Sequence, residues 1–101
     1  MDVQILENGD STIVLLIGRL DTAASAEVEQ NLKPLHEKSK QNIVFDCQQL
    51  QYISSSGLRI LLGVLKCAKP NGCRVLIKKL STELKNVFAM TGFDKLFEFI
   101  D

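Results

Sequence analysis

DCQQLQYISSSGLRILLGVLKCAK, running from Asp46 to Lys69, joins a strand end, a polar loop and a helix start within one stretch. Ile43, Val44 and Phe45 form a short β-prone apolar run that ends at Asp46. From Leu58 onward, Leu58, Leu61, Leu62, Leu65 and Ala68 recur at helical spacing, with Arg59, Lys66 and Lys69 off that stripe. Ser54, Ser55, Ser56 and Gly57 therefore stand at a helix N-terminus. The first turn of a helix has N–H groups without intrahelical partners and a partial positive charge, so a serine oxygen caps it and a phosphate is held there. One capping serine is ordinary, whereas three in a row exceed what one cap needs.

Upstream, Val3 to Glu7 and Thr12 to Ile17 read as antiparallel strands around Asn8-Gly9-Asp10, because Asn-Gly suits the positive φ angles of a tight hairpin. Ile13 to Ile17 is apolar at every position, which predicts a central strand covered on both faces. Asp21 or Thr22 can cap a first helix with Ala24, Val28, Leu32 and Leu35 inward and Glu27, Glu29 and Lys33 off the stripe. Pro34 predicts that the helix kinks or loosens near Asn31 to Pro34, since it removes a helical hydrogen bond and clashes with the preceding turn. Downstream, Pro70-Asn71-Gly72 stops the second helix and Cys73 to Ile77 is a strand. Ser81 can cap a third helix with Leu84, Val87, Phe88 and Thr91 inward, Gly92-Phe93 closes it, and Leu96 to Ile100 is a last short strand.

The order β-β-α-β-α-β-α-β predicts an α/β fold with a mainly parallel sheet and an antiparallel first strand. No linker interrupts the pattern, so residues 1–101 are expected to form one domain. In an open α/β sheet, working groups gather at the carboxyl ends of the parallel strands. That placement brings Asp21, Asp46 and the serines to one edge and predicts an exposed patch in which Asp21, Ser54, Gly57 and Arg59 surround Ser55. Asp21 should lie within about 15 Å of Ser55, the reach of neighbouring strand-end loops.

Twelve basic residues balance twelve acidic ones, which argues against a nucleic-acid surface or an acidic tail. The N-terminus MDVQILENGD has no targeting pattern, and Ile13 to Ile17 is too short to span a bilayer, so a soluble, cytoplasmic protein without membrane insertion is expected. Cys47, Cys67 and Cys73 lack CxxC spacing and His36 is the single imidazole, which favours buried thiols over a metal or redox centre. A serine hydrolase would need a His base and a GxSxG context, but the serines lack that context and His36 is expected midway along the first helix, away from the edge. GxxxxGK[ST] and GxGxxG are both absent, so no nucleotide cofactor is implied. Asp21 and Asp46 could form a carboxylate pair, yet both stand where Asp is common as a cap or turn residue.

DCQQLQYISSSGLRILLGVLK resembles the signature of the STAS-domain family, specifically the bacterial anti-sigma-factor antagonists. In these, a strand-ending Asp is followed by an apolar-aromatic pair, a Ser-containing tract, Gly and Leu, here Asp46, Tyr52-Ile53, Ser54-Ser55-Ser56, Gly57 and Leu58. Gly18 to Asp21 resembles the family's G-x-L-D segment, and Val87 to Phe93 resembles its late helix and cap. The resemblance implies a non-catalytic switch that binds a serine-kinase anti-sigma factor, is phosphorylated by it on the serine two positions before the motif glycine, and is restored by a serine phosphatase. Carried onto this chain, the acceptor is Ser55, with Asp21, Ser54, Ser56, Gly57 and Arg59 as partner-binding residues. Many members place Asp immediately before the acceptor, where this chain has Ser54. The chain is also expected to lack a C-terminal helix that many relatives carry after the last strand. The alternative within the resemblance is an adaptor that docks through the same edge without a phosphorylation cycle, and a small ligand at the loop edge is a third class.

Overall fold

Asn8 and Ser11 face each other across the first corner of the molecule, a computed structural model that describes residues 1–37 and 41–100, without the side chains of His36 and Glu37. Strands β1 (Asp2–Asn8) and β2 (Ser11–Leu20) pair antiparallel from Asp2 opposite Ile17 to this point. Asn8 is still in the ladder, so Gly9, at φ +63°, takes the first central turn position and Asp10 the second. Glycine in that place is the II′ preference rather than the central Asn-Gly pair that the sequence suggested.

The chain continues through α1 (Thr22–Glu37), β3 (Asn42–Asp46), β4 (Leu50–Ile53), α2 (Ser55–Ala68), β5 (Val75–Lys78), α3 (Thr82–Met90) and β6 (Glu98–Ile100). The main sheet has the order β1-β2-β3-β5-β6, parallel from β2 onward, which is the expected class with an antiparallel first strand. β4 is an addition to the expected order. It pairs with β2 alone, because β2 is longer than its first parallel partner: Ser11 to Leu15 pair with β3, and Gly18 to Leu20 pair with β4 across a register shift between Gly18 and Arg19. β2 thus extends beyond the main sheet and carries a short two-stranded ribbon at its carboxyl end.

Burial alternates along the strands. Thr12, Val14 and Leu16 of β2, Ile43 and Phe45 of β3, and Val75 and Ile77 of β5 are buried, and the apolar ones join one core with Val28, Leu32 and Leu35 of α1 and Leu58, Leu61, Val64, Leu65 and Ala68 of α2. Leu84 and Phe88 of α3 complete it, with Phe88 edge-on to Phe97 and Phe99 at 6.0 and 5.7 Å between ring centroids. Ile13, Leu15, Ile17, Val44 and Leu76, which alternate with the buried set, are only half-buried. The expectation that β2 is covered on both faces is therefore corrected: its second face is apolar but open.

Several local expectations shift. α1 continues past Pro34 to Glu37, which puts His36 in its last turn rather than midway. Leu62 is half-buried while Val64 takes an inward place on α2. Thr91 is exposed and caps α3 instead of facing the core, its hydroxyl donating to the Val87 and Phe88 carbonyls. Among the described residues, no helix is long and apolar enough to cross a membrane and no cluster of His, Cys, Asp and Glu could hold a metal.

Candidate functional site at the start of α2

The β2–β4 ribbon ends at Leu20 and Ile53, which are Cα partners. One residue further, the Ser54 N–H donates to the Leu20 carbonyl at 2.8 Å, so the two chain exits are tied together. Both exits are helix caps. Asp21 Oδ1 accepts the Ala24 N–H at 2.9 Å and opens α1, while Ser54 Oγ accepts the Gly57 N–H at 3.1 Å and opens α2. The Ser25 hydroxyl adds a bond of 2.8 Å to the Asp21 carbonyl. Asp21 and Ser55 are each one peptide, about 3.8 Å, from the bonded pair Leu20 and Ser54, which keeps their Cα atoms within about 15 Å.

α2 starts at Ser55, earlier than the Leu58 at which apolar spacing becomes visible. The serine tract is therefore divided among cap and helix: Ser54 is the cap, Ser55 the first helical residue, and Ser56 and Gly57 complete the first turn. Their exposures differ. Ser54 is 8 % exposed and its hydroxyl is spent on the cap, Ser55 is exposed, Ser56 is half-buried and Gly57 is buried. The predicted exposed patch is corrected accordingly: Ser54 and Gly57 support it from beneath, Asp21 is half-buried, and Ser55 and Arg59 form its surface.

Gly57 is buried because the helix start presses onto the strand ends. A Cβ at that position would lie 2.7 Å from Leu20 Cγ and 2.9 Å from Ile53 Cγ1, closer than atoms can pack, so only glycine lets α2 approach the ribbon this closely. The ribbon and the first turn of α2 are thus a single packed unit that holds Ser55 at its tip.

Asp46 does not belong to this edge. It is opposite Leu15 and Lys78 in the main sheet, five residues of β2 below Leu20, or roughly 16 Å at the rise of a strand. Its carboxylate accepts the Gln48 N–H at 3.1 Å and shapes the turn that carries the chain from β3 to β4. A carboxylate pair with Asp21 is therefore excluded by geometry. Beside it, Cys47 is 1 % exposed, and burial, with the Asp46 charge adding to it, pushes its thiol up to about 12. Cys47 is the buried thiol expected from the sequence, whereas Cys67 and Cys73 are half-buried.

Some neighbours of Ser55 carried no local signal. Arg19 stacks its guanidinium on the Tyr52 ring, 4.5 Å from the centroid, and both are exposed on the ribbon. A groove of about 280 Å³ between α1 and α2 is lined by Ser25, Glu29, Ser56, Arg59, Ile60 and Gly63. These contacts join residues far apart in the chain and arise only when α1, α2 and the ribbon assemble.

Comparison with known proteins agrees with this arrangement. The STAS domain model matches residues 2–101. BtrV of Bordetella bronchiseptica, which bears an anti-sigma factor antagonist name, is 31 % identical over 85 residues, covering 84 % of this chain and 73 % of that protein. The anti-sigma-B factor antagonist of Staphylococcus aureus is 28 % identical over 79 residues, covering 78 % and 73 %. Among solved structures, the anti-sigma factor antagonist SpoIIAA superposes in its unphosphorylated form with a TM-score of 0.76 at 18 % identity, covering 99 % of this chain and 88 % of that one. The phosphorylated form of SpoIIAA from Bacillus superposes with a TM-score of 0.74 at 18 % identity, covering 99 % and 92 %. With its sheet order, its capped serine tract and a family match along nearly the whole sequence, this chain belongs to the STAS-domain family.

Proposed function

We propose that this protein is an anti-sigma-factor antagonist that is switched by phosphorylation of Ser55. Unmodified, it binds a serine-kinase anti-sigma factor through the tip formed by Ser55 and Arg59, with Asp21, Ser54, Ser56 and Gly57 shaping that surface. The kinase transfers the γ-phosphoryl group of ATP to Ser55 Oγ, the hydroxyl proton leaves, ADP is released, and a serine phosphatase later hydrolyses the ester. The antagonist itself catalyses nothing.

The observation that carries this reading is the division of labour within the serine tract. Ser54 spends its hydroxyl on the cap and Ser56 lines the α1–α2 groove, while Ser55 is exposed and its hydroxyl makes no hydrogen bond among the described residues. A phosphate on Ser55 adds roughly two negative charges at a helix start that favours them, so the fold tolerates it. A partner packed on that tip does not, and each 1.4 kcal/mol or so lost there costs tenfold in affinity. The relatives' names support the antagonist role, and a neighbour known in phosphorylated form supports the chemistry.

Ser54 in the place where many members have Asp favours one further reading, an adaptor that docks without a phosphorylation cycle. The two separate when the purified protein is incubated with its anti-sigma kinase and ATP and the label is mapped. Phosphate on Ser55, lost in Ser55→Ala, supports the switch. Stable binding without any label supports the adaptor, and label on Ser54 or Ser56 in the Ser55→Ala variant overturns the residue assignment.

A further inference from the structure

Ser55 and Arg59 are both exposed on α2 and stand four residues apart, a spacing that stacks two side chains on one helix face. The Arg59 guanidinium makes no hydrogen bond or ion pair among the described residues. The surrounding charges leave it so. Asp21 turns a carboxylate oxygen to the Ala24 N–H, Arg19 is stacked on Tyr52, and the first turn of α2 contains no acidic residue. Glu29 of α1, which lines the same groove, is a carboxylate placed to compete for it.

We propose that Arg59 is the internal counter-charge of phosphorylated Ser55 and that its capture is half of the switch. In the unmodified protein the guanidinium faces outward and is offered to a carboxylate on the anti-sigma partner. Once Ser55 carries a phosphate, the same guanidinium folds back one helical turn and pairs with it. Phosphorylation then acts on binding twice: it places a charge where the partner packs, and it withdraws the cation that the partner had used. The inference rests on Ser55 being the acceptor, and Arg59 acts as a positioning residue, not as a catalytic one.

The test uses the full chain with phosphoserine installed at position 55 by ligation or genetic encoding, in the Arg59 parent, Arg59→Gln and Arg59→Lys. Phosphorus NMR without any partner should give a second phosphate ionisation about 0.3 of a pH unit lower in the parent and the lysine variant than in Arg59→Gln, because a neighbouring cation favours the dianion. Glu29→Gln should lower it further by removing the competitor. With the purified anti-sigma partner, Arg59→Gln should weaken the unmodified form by about tenfold or less and shrink the ratio between unmodified and phosphorylated affinities. Thermal melts check that each variant is folded, which the exposed position of Arg59 favours. Equal ionisation midpoints in parent and Arg59→Gln, with Ser55 labelled by the kinase, overturn the role of Arg59 alone. A kinase that leaves Ser55 unlabelled overturns the acceptor assignment, whatever the NMR of the installed phosphate shows.

Discussion

At the start of α2, Ser54 Oγ accepts the Gly57 N–H at 3.1 Å; at the start of α3, Ser81 Oγ accepts the Leu84 N–H at 3.2 Å. Both caps have extended backbone, and each is followed by a hydroxyl residue, Ser55 or Thr82, at the first helical position. The surroundings differ. Ser54 is buried and Ser81 exposed; the third helical residue is Gly57, with no room for a methyl group, against Leu84, whose side chain fills the core. α3 has Glu83 in its first turn to answer the helix dipole, while α2 has no acidic residue there. A serine cap by itself thus says little about function. What distinguishes α2 is a first turn seated hard against two strand ends, with no acidic residue of its own in that turn.

The largest expected effect sharpens that contrast at the third position. Leu84→Ala should cost about 2–5 kcal/mol in denaturant unfolding, as for other buried leucines, and leave phosphate transfer to Ser55 intact in the folded fraction. Gly57→Ala should come next. Alanine ordinarily gains up to about 1 kcal/mol over glycine in a helix, but here its methyl group meets Leu20 and Ile53, so a net loss of about 1–3 kcal/mol is expected. A stabilised Gly57→Ala protein would break the claim that α2 is seated without space. Smaller again, Ser54→Ala should cost about 1–2 kcal/mol because it orphans a buried N–H, against about 0.5–1 kcal/mol for Ser81→Ala at an exposed cap. Equal losses would make the two caps equivalent. Smallest of all, Thr82→Ala should change stability by less than about 0.5 kcal/mol, and mass spectrometry after kinase treatment should find Thr82 unmodified while Ser55 is labelled.

Short-range patterns carried most of the fold. Caps could be read at Asp21 or Thr22, within the serine tract and at Ser81, because a small polar residue before an apolar helical stripe has few other uses; the hydrogen bonds select Asp21, Ser54 and Ser81. β4 was not legible. Leu50-Gln51-Tyr52-Ile53 is too short and too irregular in polarity to announce a strand, and it exists because β2 outruns β3 and offers it an edge. Missing that strand also drew Asp46 toward the serines, since both were placed in one loop after β3, whereas β4 carries the serines on to the end of the longer β2. The apolar run of β2 was read as covered twice because hydrophobicity alone cannot tell a covered face from an open one. Arg19 on Tyr52 and Glu29 beside Arg59 are tertiary neighbours with no signature in the chain.

On the proposed switch, the cap at Ser54 bears on which kinase reads the site. Ser, Asp and Asn serve almost equally well at the start of a helix, so folding tolerates exchange at this position. A kinase that approaches the next residue does not, because one choice presents a negative charge beside the acceptor and another presents none. Gly57, in contrast, is fixed by lack of space and can carry no such variation. With Ser55 as the proposed acceptor, the position before it is therefore free to vary as an address: exchanging that one capping residue would redirect the site to a different kinase at little cost to stability.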